Sequence, residues 1–221
     1  MKILFNFASR SRPALFRRGV ESIINNATGQ YQICAIVDAN DTRLKDYNFD
    51  GCSIVDNGLS ANKVDAINRA HLHILNSGCD IIVNMSDDMV FTQKGFDEII
   101  KKEFQKECFE VGYNALDLCL HLPDGNRSDL ITMAILGIDY YKRFNYIYHP
   151  EYKSLYCDNE MTEVAKLLGK YKFVNENLFV HLHPAYSKAP FDMQYQHTES
   201  FNFMDKNTFE KRKQNKFYLS L

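Results

Sequence analysis

Absences narrow this chain before any motif does. Its six cysteines, Cys34, Cys52, Cys79, Cys108, Cys119 and Cys157, are scattered with no CxxC pair, so neither a zinc cage nor a small disulfide scaffold is indicated. The thiols are expected to be reduced and partly buried. The longest apolar run, residues 131–138, falls far short of the roughly 20 residues that a membrane-spanning helix needs. The first seven residues carry too short an apolar run for a signal peptide, interrupted by Asn6 and followed by Arg10 and Arg12, which makes a cytoplasmic location the expectation. A formal net charge of −2 supplies no global basic field of the kind that drives non-specific nucleic-acid binding. No internal repeat or low-complexity linker is visible.

What is present is the composition of an ordinary folded domain. Apolar residues make up 45% and charged residues 24% of 221 positions, enough for a single α/β domain with a full core. Residues 2–7 read as a first strand, and Pro13 suits the first turn of a helix with Leu15, Val20, Ile23 and Ile24 on one side. Strands follow at 32–38, 52–55 and 80–85. Between the last two, the spacing of Val64, Ile67, Leu72, Ile74 and Leu75 predicts a helix over 63–76, stopped by Gly78. This alternation predicts a parallel sheet covered on both faces. After a helix at 95–107, Leu116, Leu118, Leu120 and Leu122 alternate with Asp117, Cys119 and His121 as in a strand, closed by the turn Pro123-Asp124-Gly125. Another strand is expected at 130–138, a helix from Asp158 to Gly169, short strands at 171–174 and 178–183 completing the sheet, and a charged helix at 205–216.

The most informative segment is Ser86-Asp87-Asp88, two carboxylates at the carboxyl end of the expected fourth strand. Open α/β sheets bind ligands at that edge. Adjacent side chains on a strand point to opposite faces, so both acids serve one site only if the chain turns there. Clustered anions repel unless a cation or proton lies between them. A divalent metal holding a phosphorylated substrate is the economical explanation, because Mg²⁺ or Mn²⁺ takes oxygen ligands, commonly one or two carboxylates plus phosphate oxygens. Helix capping or a surface turn is the plain alternative.

Loops after the first, second and fourth strands emerge on the same edge and can meet around one ligand. Arg10 and Arg12, in the loop Ser9-Arg10-Ser11-Arg12-Pro13, offer planar donor forks for a phosphate or a base, or form a solvated basic loop. Asp38 ends the second strand, where an acid can accept a ribose hydroxyl; Asn40 and Asp41 read as a turn. If 178–183 is extended, His181 and His183 share a face, and one of them could complete a metal site or simply close a strand before Pro184. Asp158 at a helix start is a cap or a catalytic group whose pKa the positive helix end would lower.

Taken in order, residues 3–13 (ILFNFASRSRP), Val37-Asp38, Asn62-Lys63 with Ala66-Ile67-Asn68, residues 80–89 (DIIVNMSDDM), residues 148–160 (YHPEYKSLYCDNE) and residues 180–184 (VHLHP) resemble glycosyltransferase family 2, with its glycosyltransferase-A fold. The resemblance implies a single α/β domain with a central, mostly parallel mixed sheet flanked by helices. Residues 1–114 would be its nucleotide-binding half, 115–204 the half that binds acceptor and completes the metal site, and 205–221 the charged terminal helix. It further implies a nucleotide-sugar donor, a uridine diphosphate sugar, with its diphosphate bound through Mn²⁺ or Mg²⁺. Asp88 would be the main metal ligand, and His181 or His183 would serve the metal or diphosphate. Asp87 would face the donor ribose or sugar, and Asp38 and Lys63 the nucleoside, with Ser9, Arg10, Arg12 and Ser86 completing the donor site. Asp158 resembles the general base of inverting members, and Glu160, which follows Asn159, is the alternative base. Ser86 stands where the usual motif has its first acid, leaving metal ligation to fewer carboxylates.

Two acceptor classes fit, a glycan or a hydroxylated base in DNA. The second needs a basic groove, for which Arg17-Arg18, Lys101-Lys102 and Lys211-Arg212-Lys213 are the candidates. Tyr140, Tyr141, Tyr146, Tyr148, Tyr152 and Tyr156 would supply an aromatic acceptor platform or core. A nucleotidyltransferase is the enzyme rival, although residues 8–13 lack the glycines that usually cradle phosphates after the first strand. A catalytically dead sugar-binding scaffold is the rival outside enzymology.

Overall fold

The computed structural model of the protein describes residues 1–48, 52–56, 58–111 and 114–220. Its strands, in chain order, are β1 (Ile3–Ala8), β2 (Tyr31–Ile36), β3 (Ser53–Asp56), β4 (Ile81–Met85), β5 (Met89–Phe91), β6 (Cys119–His121), β7 (Ala134–Gly137), β8 (Tyr171–Phe173) and β9 (Phe179–His181). Seven of them form one sheet in the order β3-β2-β1-β4-β7-β6-β8. β3, β2, β1 and β4 are mutually parallel, β7 runs antiparallel between β4 and β6, and β8 is parallel to β6. The expected mostly parallel mixed α/β sheet is therefore the one present.

Period-two alternation in β1 builds two cores. Ile3, Phe5 and Phe7 face one side, where they meet Phe16, Val20 and Ile23 of α1 (Pro13–Asn26). Leu4 faces the other side with Ile36 and Ile82. The elements between and after these strands are α2 (Lys63–Asn68), α3 (His71–Asn76), α4 (Phe96–Val111), α5 (Ile138–Lys142), α6 (Cys157–Leu167), α7 (Met193–Glu199) and α8 (Asn202–Gln214). Phe96, Ile100 and Phe104 of α4 cover the first core, and Val64, Ile67, Ile74, Met161 and Val164 cover the second. Each large apolar side chain buried in this way contributes about 1.5–3 kcal/mol, which is why the sheet is covered on both faces as its apolar strands require.

Several elements depart from the sequence expectation. The helix expected over 63–76 breaks into α2 and α3 because its apolar spacing does not serve one face: Leu72 is 70% exposed while Val64, Ile67 and Ile74 are buried. The strand expected over 116–122 contracts to β6, and Leu118, Leu120 and Leu122 are buried together with the intervening Cys119 and His121, so the alternation did not separate a core face from a solvent face. The strand expected over 178–183 does not complete the main sheet. As β9, it pairs antiparallel with β5 in a separate two-stranded ribbon, and β5 is a strand that the sequence reading lacked. In the tail, α8 begins before residue 205 and α7 precedes it.

α8 is tied to the body by buried charge. The Asp205 carboxylate accepts the backbone N–H groups of Lys153, Ser154 and Leu155 at 2.7–2.9 Å. Further along, Arg212 donates two hydrogen bonds to Glu160 of α6 at 2.7 and 2.9 Å.

Candidate active site

β1 and β4 run in register from Ile3 opposite Ile81 to Phe7 opposite Met85, so Ser9 and Ser86 leave the sheet at the same edge. There the Ser86 carbonyl accepts the Met89 N–H at 3.1 Å, the turn that both acids need to share a site. Asp87 and Asp88 are buried, at 6% and 5% exposure, and both line a cavity of about 970 Å³, roomy enough for a nucleotide-sized ligand. The same cavity is lined by Ser9, Arg10, Arg12, Asp38, Lys63, Ser86, Asp158, His181 and His183. Of the twelve residues singled out from sequence, Glu160 alone is missing from that wall.

The arginine loop is built by acids and a tyrosine from neighbouring segments. Asp41, expected as a plain turn residue, accepts the N–H of Ser11 at 2.6 Å and of Arg43 at 2.8 Å, which holds Ser11 in a left-handed conformation, φ 59°. Tyr47 Oη accepts the Arg12 N–H at 3.0 Å and meets Ser9 Oγ at 3.1 Å. Ser9 in turn donates to Asp87 at 2.8 Å. The guanidinium groups are engaged within the protein. Arg10 pairs with Asp38, whose other oxygen accepts the Ser60 N–H at 2.9 Å, and Arg12 bridges Asp87, at 3.2 Å, to Asp192. Burial raises the pKa of Asp87, opposed by Arg12 and reinforced by the like charge of Asp88.

Asp88 sits where the β5/β9 ribbon meets the turn, its carbonyl accepting the Leu182 N–H at 2.7 Å. Its Oδ2 accepts Tyr195 Oη–H at 2.7 Å and lies 3.2 Å from His181 Nε2. Burial opposes its charge, but His181 and Tyr195 outweigh it and hold the carboxyl well below the usual range. The far side of the His181 ring faces Asp124, fully buried, with Nδ1 and Oδ2 3.4 Å apart. Burial likewise opposes a charged ring here, yet Asp124 and Asp88 push His181 up to about 9. The His183 ring lies 5.2 Å from that of His181; burial and the His181 charge lower its pKa.

Asp158 lines the same cavity. It is not the helix cap: that position is Tyr156, in the left-handed region at φ 59° and without a side-chain cap bond, and Asp158 accepts the Asn159 N–H at 2.9 Å from inside the first turn of α6. The expected lowering of its pKa by the helix end is overturned, because burial raises it despite the nearby charge of Lys63. Glu160 does not line the cavity and is bonded to Arg212 and to Tyr152 Oη, the latter at 2.8 Å. The tyrosine platform dissolves similarly: Tyr140, Tyr141, Tyr148 and Tyr152 are buried core, and Tyr148 is the member of the group that lines the cavity. Of the basic-groove candidates, Lys101 is buried against Asp97 and Glu98 and Arg212 against Glu160, whereas Arg17, Arg18, Lys102, Lys211 and Lys213 are exposed.

One wall went unread in the sequence. Asp192 caps α7 by accepting the N–H groups of Gln194 and Tyr195 at 3.0 Å, and the Arg12 guanidinium stacks on the Tyr195 ring at 4.1 Å. The signal was there: an aspartate three residues before an aromatic, at the end of an otherwise unassigned stretch, fits a helix N-cap.

No protein-family model matches the chain, and no curated protein matches it by sequence. Solved structures do. TarS from S. aureus, residues 1–349 with UDP, superimposes with a TM-score of 0.60 at 12% identity, covering 81% of this chain and 59% of that one. The same protein with UDP-GlcNAc gives 0.60 at 12%, covering 81% and 57%. The mannosyltransferase PcManGT from Pyrobaculum calidifontis, in complex with GDP-Man and Mn²⁺, gives 0.53 at 10%, covering 90% and 69%. The fold is that of a glycosyltransferase-A domain. At these identities the likeness is one of fold, and the chain spans less than two thirds of the two TarS complexes with UDP and UDP-GlcNAc.

Within this glycosyltransferase-A fold, the donor set at Asp88 suits a metal that takes few protein ligands. Asp88 Oδ1 is buried with no hydrogen-bond partner, an oxygen left open to a further donor or cation while Oδ2 is taken by His181 and Tyr195. Among the described residues no group of three His, Cys, Asp or Glu side chains is arranged to hold an ion, so phosphate oxygens and water would have to complete its shell, as Mg²⁺ and Mn²⁺ commonly permit. Among the described residues no helix is long and apolar enough to cross a membrane.

Proposed function

We propose that the protein is a metal-dependent glycosyltransferase that moves a sugar from a nucleoside diphosphate sugar, a uridine diphosphate sugar in the first instance, to an acceptor hydroxyl with inversion. The observation that carries this reading is the turn at Ser86-Asp87-Asp88, which brings two buried carboxylates into the cavity at the ligand-binding edge of a glycosyltransferase-A sheet. The fold neighbours support it, since TarS has been solved with UDP and UDP-GlcNAc and PcManGT with GDP-Man and Mn²⁺.

In this reading residues 1–114 carry the donor nucleotide and 115–204 the acceptor side. Ser9, Arg10 and Asp38 border the nucleoside and ribose; Asp87, braced by Ser9 and Arg12, borders the ribose or sugar. Asp88, with His181 or His183, would hold Mn²⁺ or Mg²⁺, and such an ion would offset the charge that grows on the departing diphosphate. Lys63, whose charge reaches both Asp88 and Asp158, faces the same region and adds positive charge beside the leaving group. Asp158 is the base: its raised pKa makes it a better proton acceptor than an exposed aspartate. It takes the acceptor hydroxyl proton as the oxygen bonds to the anomeric carbon, and the bond from that carbon to the diphosphate oxygen breaks with its electron pair leaving on the nucleotide.

A donor panel tests this without knowledge of the acceptor. Incubated with UDP-, GDP- and other nucleotide sugars and Mn²⁺, the protein should release nucleotide by slow hydrolysis from one donor class, and chelation of the metal should stop it. No release from any donor, with no Mn²⁺-dependent nucleotide binding, would favour a scaffold.

A further inference from the structure

The turn Pro123-Asp124-Gly125 lies outside the function described so far, yet it is grafted onto the strand that carries His181. The His181 N–H donates to the Asp124 carbonyl at 2.9 Å, and Asn126 Nδ2 donates to the His181 carbonyl at 2.8 Å. Gly125, at φ 78°, supplies the left-handed residue of the turn where it packs over Val180. The turn also fixes its own carboxylate: Asp124 Oδ1 accepts the N–H groups of Asn126 and Arg127, each at 2.8 Å. That leaves Oδ2, buried and otherwise without a partner, 3.4 Å from His181 Nδ1, which is buried and equally without another partner. The opposite ring nitrogen, Nε2, points at Asp88.

We infer that Asp124 is a positioning residue, its Oδ2 serving as the acceptor for Nδ1–H of His181 and so aiming Nε2 at the metal and diphosphate beside Asp88. The inference rests on the metal-dependent donor site proposed above. Its chemistry is general: a histidine ligand is oriented by the partner of its other ring nitrogen, and loss of that partner typically weakens metal binding about 10–100-fold. Backbone bonds fix where the His181 main chain lies, whereas the Asp124 carboxylate holds the ring from the side opposite Asp88.

Asp124→Asn isolates the effect, because Oδ1 can still accept both backbone N–H groups while the amide that replaces Oδ2 cannot accept from Nδ1. Mn²⁺ affinity in the presence of UDP, read by electron paramagnetic resonance, should fall about 10–100-fold in Asp124→Asn. It should stay within about twofold in Asn126→Ala, which loosens the turn but keeps the carboxylate. Equal affinity in Asp124→Asn and wild type, or equal losses in both variants, overturns the inference. Failure of the wild type itself to bind Mn²⁺ with UDP refutes the donor site instead. In that event crystal structures of wild type and Asp124→Asn decide the positioning claim: a His181 ring turned from Asp88 in the variant supports it, and an unmoved ring overturns it.

Discussion

Replacing Glu160 by glutamine separates two roles that sequence left entangled. Glu160 and Arg212 side chains are 6% and 5% exposed, so their pairing is little screened by water. Glutamine removes the countercharge and turns an N–H₂ group toward one of the two guanidinium donors now held at 2.7 and 2.9 Å. Leaving one partner of a buried ion pair uncompensated costs about 3–5 kcal/mol. Glu151, 3.7 Å from Arg212 but 55% exposed, softens this, so about 3 kcal/mol is expected. For a chain of this length that corresponds to a melting temperature lower by about 6–12 °C. Turnover measured well below the melt should stay within about twofold, since no step of the proposed transfer uses Glu160. Asp158→Asn should do the reverse, melting near wild type, binding donor, and losing transfer by at least about a hundredfold. Differential scanning calorimetry and a nucleotide-release assay on both variants suffice. A Glu160→Gln protein that melts like wild type and has lost transfer would refute the assignment of the base and the structural role of the pair together.

Two further outcomes follow from the same geometry. Because burial raises the pKa of Asp158 and a base works deprotonated, the acidic limb of kcat should rise with pH through a value above the ordinary aspartate range; a limb at or below that range would contradict the burial of the base. Asp205→Ala orphans three backbone N–H groups that now share one fully buried carboxylate, each costing about 1–3 kcal/mol, so denaturant titration should show a loss of at least about 3 kcal/mol, and a loss under about 1 kcal/mol would contradict Asp205 as the tie that holds α8 to the body.

The parallel half of the sheet was legible because β1, β2 and β4 are apolar runs, each broken by one amide residue (Asn6, Gln32, Asn84), joined by helices, a pattern that few other arrangements bury. The Ser86–Asp88 turn was legible for the same reason: a buried strand must end somewhere, and its end is where chemistry collects. Past residue 115 the local signals weaken. Leu116 to Leu122 alternate without a solvent face, and β9 looks like a sheet strand although its partner is β5, a three-residue strand too short to announce itself. Glu160 and Asp158, two residues apart on one helix, looked interchangeable until Arg212, distant in sequence, claimed one of them. Asp41, Asp124 and Asp205 act on groups 30, 57 and about 50 residues away, a reach that no local pattern encodes. The wall at Asp192 and Tyr195 was hidden likewise, since its meaning depends on Arg12 and Asp88.

In the proposed function Asp88 and its neighbours grip a metal-bound diphosphate. Isothermal titration of UDP into the wild type and into Asp88→Asn, each with and without Mn²⁺, measures that directly. Binding that requires Mn²⁺ in the wild type and is weakened at least about a hundredfold in the variant is the predicted result. UDP binding of equal strength with and without Mn²⁺, or unaltered by Asp88→Asn, would contradict it.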